Sequence, residues 1–264
     1  MSKKEPLRSP AQQEGLDRLP SYQLIGDVAV VYIPPSSGHS SKDLAASLVS
    51  QHKGIKAVLN KTSKLTGEGR TACYELLAGG KTITTHKESG FVYRLDVSEV
   101  FFSPRLAYER RRVASMIRPG ERVLVPFAGV GPFAIPAAAG GAHVLAVEKS
   151  TAACRWLAEN ARLNRVEKNL TIVKGDALCL ENLLTGEFDR AILPIPYGLD
   201  CALEVVCPKV KSGGSLHFYT FKKKHQIEGL VEDFEEIGLK TVFYRRCGNV
   251  APKVHRWAFD LEKV

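Results

Sequence analysis

The chain has 264 residues, 44% of them hydrophobic and 25% charged, which suffices for one large or two modest domains and excludes a disordered chain. No apolar run approaches the roughly 20 residues of a membrane span, and Met1-Ser-Lys-Lys-Glu-Pro6 lacks the apolar centre of a signal peptide, so the expectation is a cytoplasmic protein. The six cysteines are scattered, with no Cys-x-x-Cys pair and no zinc-finger histidines, so no disulfide framework or metal is expected; the net charge of +9 suits a polyanionic partner.

Residues 1–21, broken by Pro6, Pro10 and Pro20, read as a loosely packed arm. Leu24 to Ile33 reads as a strand pair or a bulged strand, ended by Pro34-Pro35 and the Ser/Gly run after them. Lys42 to Gln51 has apolar residues at 44, 45, 48 and 49, the spacing of a helical face, with Ser41 placed to cap it. Strands follow at Ala57 to Leu59, Thr82 to His86 and Phe91 to Val97, the last preceded by a Ser89-Gly90 turn. Residues 22–100 therefore read as a small α+β domain.

Beyond Ser103 the rhythm changes. Leu106 to Ile117 is helical, Arg122 to Pro126 a strand, Pro132 to Ala139 the start of a helix and Ala142 to Val147 a strand. Thr151 to Asn164 is a helix, with strands at Leu170 to Val173, Arg190 to Leu193 and Gly214 to Tyr219. This alternation predicts a doubly wound α/β sheet over residues 101–264. The last run, a helix over Glu228 to Ile237 and strands at Thr241 to Arg246 and Val254 to Leu261, predicts an antiparallel pair at the sheet edge.

In such a sheet, ligands bind where a strand's carboxyl end meets the next helix. Arg122-Val-Leu-Val-Pro-Phe-Ala-Gly-Val-Gly-Pro-Phe133 is such a junction, with Gly129 and Gly131 clearing its turn. It lacks the Gly-Lys-Ser/Thr of a P-loop, and Ala134 replaces the third glycine of a dinucleotide fingerprint. Glu148 ends the next strand about 20 residues on, where an acid can take ribose hydroxyls, and Asp176 follows the strand after that, where an adenine amino group would lie. Three consecutive strand ends thus carry the chemistry of a nucleoside site; each acid alone would read as a solvated strand end.

Phe127-Ala-Gly-Val-Gly-Pro-Phe133, Phe102-Ser-Pro-Arg-Leu106 with Glu109-Arg110, Gly67-Glu-Gly-Arg70 and Ala251-Pro-Lys-Val-His255 together resemble the archaeal and eukaryotic transfer-RNA guanine-N1 methyltransferases and their sibling, the wybutosine-pathway aminocarboxypropyl transferase. The resemblance runs from about residue 22 to the C-terminus. It implies a Rossmann-like class I S-adenosylmethionine-dependent transferase domain that acts on the purine 3′ of the anticodon. It also implies a chain that begins after the extra N-terminal domain usual in those methyltransferases, and a monomer without a metal is expected.

The roles it implies are a general base at Glu109 and a contact of Arg70 to the target base or its phosphate. Phe127, Gly129, Val130, Gly131, Glu148, Lys149, Asp176 and Pro194 would bind the cofactor, and Arg105, Arg110, Arg111 and Tyr197 the tRNA. Chemically, N1 of guanine must lose a proton as it attacks, which a carboxylate can accept, and a guanidinium can stabilise the charge developing on O6. On its residues alone, Glu109 reads as the partner of Arg105 or Arg112, and Arg70 as a surface arginine. Two positions depart from the pattern: Pro194 stands where the methyltransferases carry Asn, and Val125 where they carry an acid. Lys149 leans toward the aminocarboxypropyl branch, whereas Gly-Val-Gly-Pro-Phe and Ser-Pro-Arg-Leu lean toward methylation. The expected function is N1-methylation of that guanosine, with aminocarboxypropyl transfer or a non-tRNA substrate as alternatives.

Overall fold

The computed structural model describes residues 21–33, 40–63, 72–182 and 186–264. The first expected strand is a pair, β1 (Tyr22–Ile25) and β2 (Val28–Val31), joined antiparallel through Gly26. Gly26 has φ +57, and a Cβ there would lie 2.1 Å from Thr84 Oγ1, so only glycine fits. Helix α1 (Ser41–Gln51) is capped by Ser40, one residue earlier than expected; its hydroxyl accepts from the Asp43 amide. The helix returns the chain to β3 (Ala57–Lys61), parallel to β2, and β4 (Tyr74–Ala78) completes a sheet ordered β1-β2-β3-β4. Ala45 and Leu48 of α1 pack on Ala29, Val31, Val58 and Leu77 of this sheet.

The next two strands, β5 (Ile83–Glu88) and β6 (Phe91–Asp96), form a hairpin that joins neither larger sheet. Ser89 and Gly90 both have positive φ, 51° and 86°, as a two-residue turn matching strand twist requires. A 3₁₀ turn at Pro104–Leu106 then leads into α2 (Ala107–Ala114).

The expected doubly wound α/β sheet is present. β7 (Arg122–Pro126), β8 (His143–Glu148) and β9 (Leu170–Lys174) run parallel, each beside the last. The chain then crosses back to lay β10 (Phe188–Leu193) on the other side of β7, followed by β11 (Val210–Lys222). The final pair, β12 (Leu239–Ala251) and β13 (Val254–Lys263), closes the edge, with β13 inserted antiparallel between β11 and β12. Helices α3 (Ala134–Ala139), α4 (Thr151–Leu163), α5 (Ala202–Val206) and α6 (Ile227–Glu236) make the connections.

Alternation decides the core. Val123 and Val125 enter one apolar cluster with Leu95, Phe102, Val113 and Trp156, while Leu124 between them enters a second with Leu193, Phe218, Phe234 and Leu261. All three β7 positions are buried, because helices cover both faces. Ile25, Val28 and Leu59 of the small sheet belong to the first cluster, so the two parts share one core.

Candidate active site at the carboxyl end of the large sheet

The strand order reverses between the parallel neighbours β7 and β10, and the glycine turn leaves β7 at that switch point, where open α/β sheets bind ligands. Three residues of the turn have positive φ: Phe127 (55°), Gly129 (57°) and Gly131 (93°). The two glycines differ in purpose. A Cβ on Gly131 would lie 2.4 Å from Leu157 Cδ1 and 2.9 Å from Ile135 Cδ1, so this glycine lets α3 and α4 approach the strand. A Cβ on Gly129 would meet nothing within 4 Å, so its bare face is open to a ligand. Val130 is buried, its carbonyl accepting from Asn160 Nδ2; only its backbone belongs to the turn. Phe127 is half-buried against the second core cluster.

Glu148, ending β8, holds this turn in shape. Its Oε2 accepts from the Gly129 amide and its Oε1 from the Ser150 amide, both at 2.8 Å. Each oxygen keeps a second lone pair for an incoming hydroxyl. Beyond β9, Asp176 accepts from the Leu178 amide at 2.9 Å and from Lys149 Nζ at 3.0 Å, and these bonds lower its pKa. Lys149 is thus placed by Asp176. Pro194 sits half-buried at the end of β10. Tyr197 beyond it is 62% exposed and packs on Phe221, whose ring also carries the Arg256 guanidinium at 4.9 Å.

Glu109, on the first turns of α2, is only 2% exposed. Its Oε2 accepts from Arg112 Nε at 2.9 Å and from the Tyr219 hydroxyl at 3.3 Å. Arg245 Nε lies 3.5 Å from Oε1, an ion pair, yet Oε1 receives no hydrogen bond. Tyr219 on β11 packs against Phe133, just past the glycine turn, with ring centroids 5.3 Å apart and the planes tilted by 46°. The carboxylate and the turn therefore meet through two aromatic rings. Burial, then the Glu109 charge, push the Cys247 thiol up to about 12 and the Tyr219 phenol well above its ordinary value, so both stay protonated.

The four residues expected to bind tRNA divide. Tyr197, Arg105 and Arg111 are exposed. Arg110 is not: it is 3% exposed, paired through Nε and Nη2 with Glu88 of the hairpin, and bonded to the Ser103 carbonyl. A phosphate cannot reach it without breaking that pair. Arg70 lies outside the described residues. His217, Tyr219 and Asp260 were not anticipated as site residues, and Arg112 only as a helix partner of Glu109. The available signal was a polar residue inside an apolar strand, as in Leu216-His-Phe-Tyr219 and Trp257-Ala-Phe-Asp260. Among the described residues no group of three or more His, Cys, Asp or Glu could hold a metal, and no helix is long and apolar enough to cross a membrane.

The chain that carries this turn, the acid beside it and the buried carboxylate is similar to known proteins. The tRNA (guanine(37)-N(1))-methyltransferase Trm5b of Pyrococcus abyssi is 36% identical over 248 residues, which cover 91% of this chain and 74% of the relative. The solved complex of aTrm5 with tRNALeu superposes with a TM-score of 0.85 at 27% identity, covering 97% of this chain and 75% of that one. The solved P. horikoshii TYW2 in complex with MeSAdo superposes at 0.79 and 28% identity, covering 96% and 94%. The TYW2 N-terminal domain matches residues 4–82, and the TRM5/TYW2 methyltransferase domain matches residues 84–243. With the family's catalytic domain spanning more than half of it, the chain belongs to the TRM5/TYW2 methyltransferase family.

Proposed function

We propose that this chain transfers the methyl group of S-adenosylmethionine to N1 of the guanosine 3′ of the anticodon in tRNA. The observation that carries this reading is Glu109, a buried carboxylate anchored through one oxygen, with the other free of hydrogen bonds. The residues at the glycine turn fit the cofactor: the open face of Gly129 admits its methionine end, and Glu148 has lone pairs left for the ribose hydroxyls. Phe127, the Val130 backbone, Gly131, Pro194, Asp176 and its partner Lys149 line or support the same strand ends. Bound S-adenosylmethionine supplies an electrophilic methyl carbon on a sulfonium sulfur. Glu109 Oε1 takes the N1 proton as N1 bonds that carbon, and the sulfur keeps the electron pair of the broken bond. Arg70, by resemblance, steadies the guanine O6, while Arg105, Arg111 and the exposed face of Tyr197 receive the RNA. The chain acts in the cytoplasm as a monomer.

Two observations favour a second reading, aminocarboxypropyl transfer. Residues 4–82 match the TYW2 N-terminal domain, and Pro194 offers no polar side chain to a guanine edge. The P. horikoshii TYW2 structure holds MeSAdo, the fragment left when S-adenosylmethionine gives up its aminocarboxypropyl group. The products separate the two. Unmodified tRNA with S-adenosylmethionine should yield S-adenosylhomocysteine and N1-methylguanosine, and Glu109→Gln should slow a single turnover about a hundredfold, the low end for losing a general base. Release of methylthioadenosine with tRNA carrying 4-demethylwyosine, the base named for the aminocarboxypropyltransferase relatives, would establish the second reading, and neither product with any tRNA would refute both.

A further inference from the structure

Arg112 lies between the buried Glu109 and the half-buried Asp260 and treats the two acids unequally. Its terminal nitrogens take both oxygens of Asp260, Nη1 to Oδ2 at 2.5 Å and Nη2 to Oδ1 at 3.0 Å, leaving only Nε for Glu109. Asp260 is in turn held from behind. His217 Nε2 lies 2.7 Å from Arg190 Nη1, and a guanidinium only donates, so Nε2 accepts; the ring proton is then on Nδ1, donated to Asp260 Oδ1 at 2.6 Å. Burial, then the cations beside it, keep His217 neutral against the pull of Asp260. Burial alone would raise Asp260, but the bonds from His217 and Arg112 outweigh it and hold the acid at about 2. Arg190 is fixed by both oxygens of Glu121 and by the Met116 carbonyl. The result is one buried polar chain from Glu121 through Arg190, His217, Asp260 and Arg112 to Glu109.

Stability does not explain it. Buried ion pairs generally do no better than well-packed apolar groups of the same volume. The residues come from α2, β10, β11, β13 and the position just ahead of β7, with Arg112 and Asp260 148 positions apart, and the chain ends on the anchored oxygen of Glu109. The groups facing Glu109 are Arg112 on its own helix, Tyr219 on β11, Arg245 and Cys247 on β12, and Asp260 on β13 across Arg112. Since Tyr219 and Cys247 are neutral, Asp260 is the anion in this set that competes with Glu109 for Arg112.

We infer that Asp260, held by His217, is a positioning residue that limits the grip of Arg112 on Glu109 and so keeps Glu109 basic toward the guanine N1 proton. This rests on the reading of Glu109 as the base. Neutralising Asp260 frees the guanidinium fork for Glu109, which becomes a weaker base. Asp260→Asn should therefore lower kcat for methyl transfer about tenfold, less than the roughly hundredfold or more of losing the base outright. It should also move the acid limb of the pH profile to lower pH. KM for tRNA and calorimetric affinity for S-adenosylmethionine should hold, which a merely structural lesion would not allow. In a Glu109→Gln background the same change should do nothing further to single-turnover rates. Unchanged kcat and acid limb in Asp260→Asn, or an equal loss in both backgrounds, would overturn the inference. If Asp260→Asn does not fold, Tyr219→Phe, which removes a donor from the same oxygen, should shift the limb the opposite way, and an unmoved limb counts against the inference. Wild-type turnover in Glu109→Gln alone would instead sink the reading of the base, and with it this one.

Discussion

Glu148 serves two structures with one carboxylate. Its oxygens hold the Gly129 and Ser150 amides, and their remaining lone pairs are the ones assigned to the ribose. Glu148→Ala should weaken S-adenosylmethionine binding by about 1 to 3 kcal/mol, the range for hydrogen bonds to a charged group. Calorimetry giving wild-type affinity would remove Glu148 from the site. This residue was legible in the sequence because strand, acid and preceding glycine turn are local features at a fixed spacing. Glu109 was legible only by family resemblance, and its pairing with Arg112, one helical turn away, was the bland reading of the same residue. The pairing is present: it anchors one oxygen and leaves the other without a hydrogen bond. Arg110 shows the opposite failure. It stands among exposed cations in the sequence, and nothing nearby signals that Glu88, 22 residues earlier, folds over to bury it.

The hairpin β5 and β6 depends on an element from the other part of the molecule. The amides of Val92 and Arg94 donate to the side chains of Asn164 and Asn160, at 2.8 and 2.7 Å, so helix α4 stands in for the missing neighbour strand. Asn164 Nδ2 also donates to the Val92 carbonyl at 2.7 Å. Asn164→Ala should cost about 1 to 3 kcal/mol by leaving both groups without a partner. Urea denaturation measures this, and an unchanged midpoint would mean that water replaces the asparagine. Because the hairpin is bonded to α4, and the catalytic-domain match begins at residue 84, we propose that the boundary first drawn near residue 100 lies ahead of β5. Local patterning identified the parallel strands and their helices, whose apolar runs and glycine stops are strong signals. It missed β4, a strand with two adjacent exposed residues and no clean alternation, and α5, only five residues long. Both owe their conformation to neighbours rather than to their own pattern.

Over the whole molecule, the charge of +9 can act on RNA only through cations that are not already paired and buried. Arg105 and Arg111 are exposed near the proposed site, while Arg110 and Arg190 are spent on Glu88 and Glu121. An Arg105→Ala, Arg111→Ala double variant should therefore reduce the slope of log affinity for tRNA against log salt by roughly one unit per lost phosphate contact. Filter binding across a salt series measures it, and an unchanged slope would leave these residues to solubility alone. The insertion of β13 between β11 and β12 has a consequence for synthesis. It is made after both of its neighbours, yet it carries Asp260 and separates two strands already made. A nascent chain can assemble the glycine turn and β7 to β9 early, but β11 and β12 must stay apart until their divider arrives. The glycine turn can then form before β13 exists, whereas the seating of Glu109 through Arg112 and Asp260 awaits that strand.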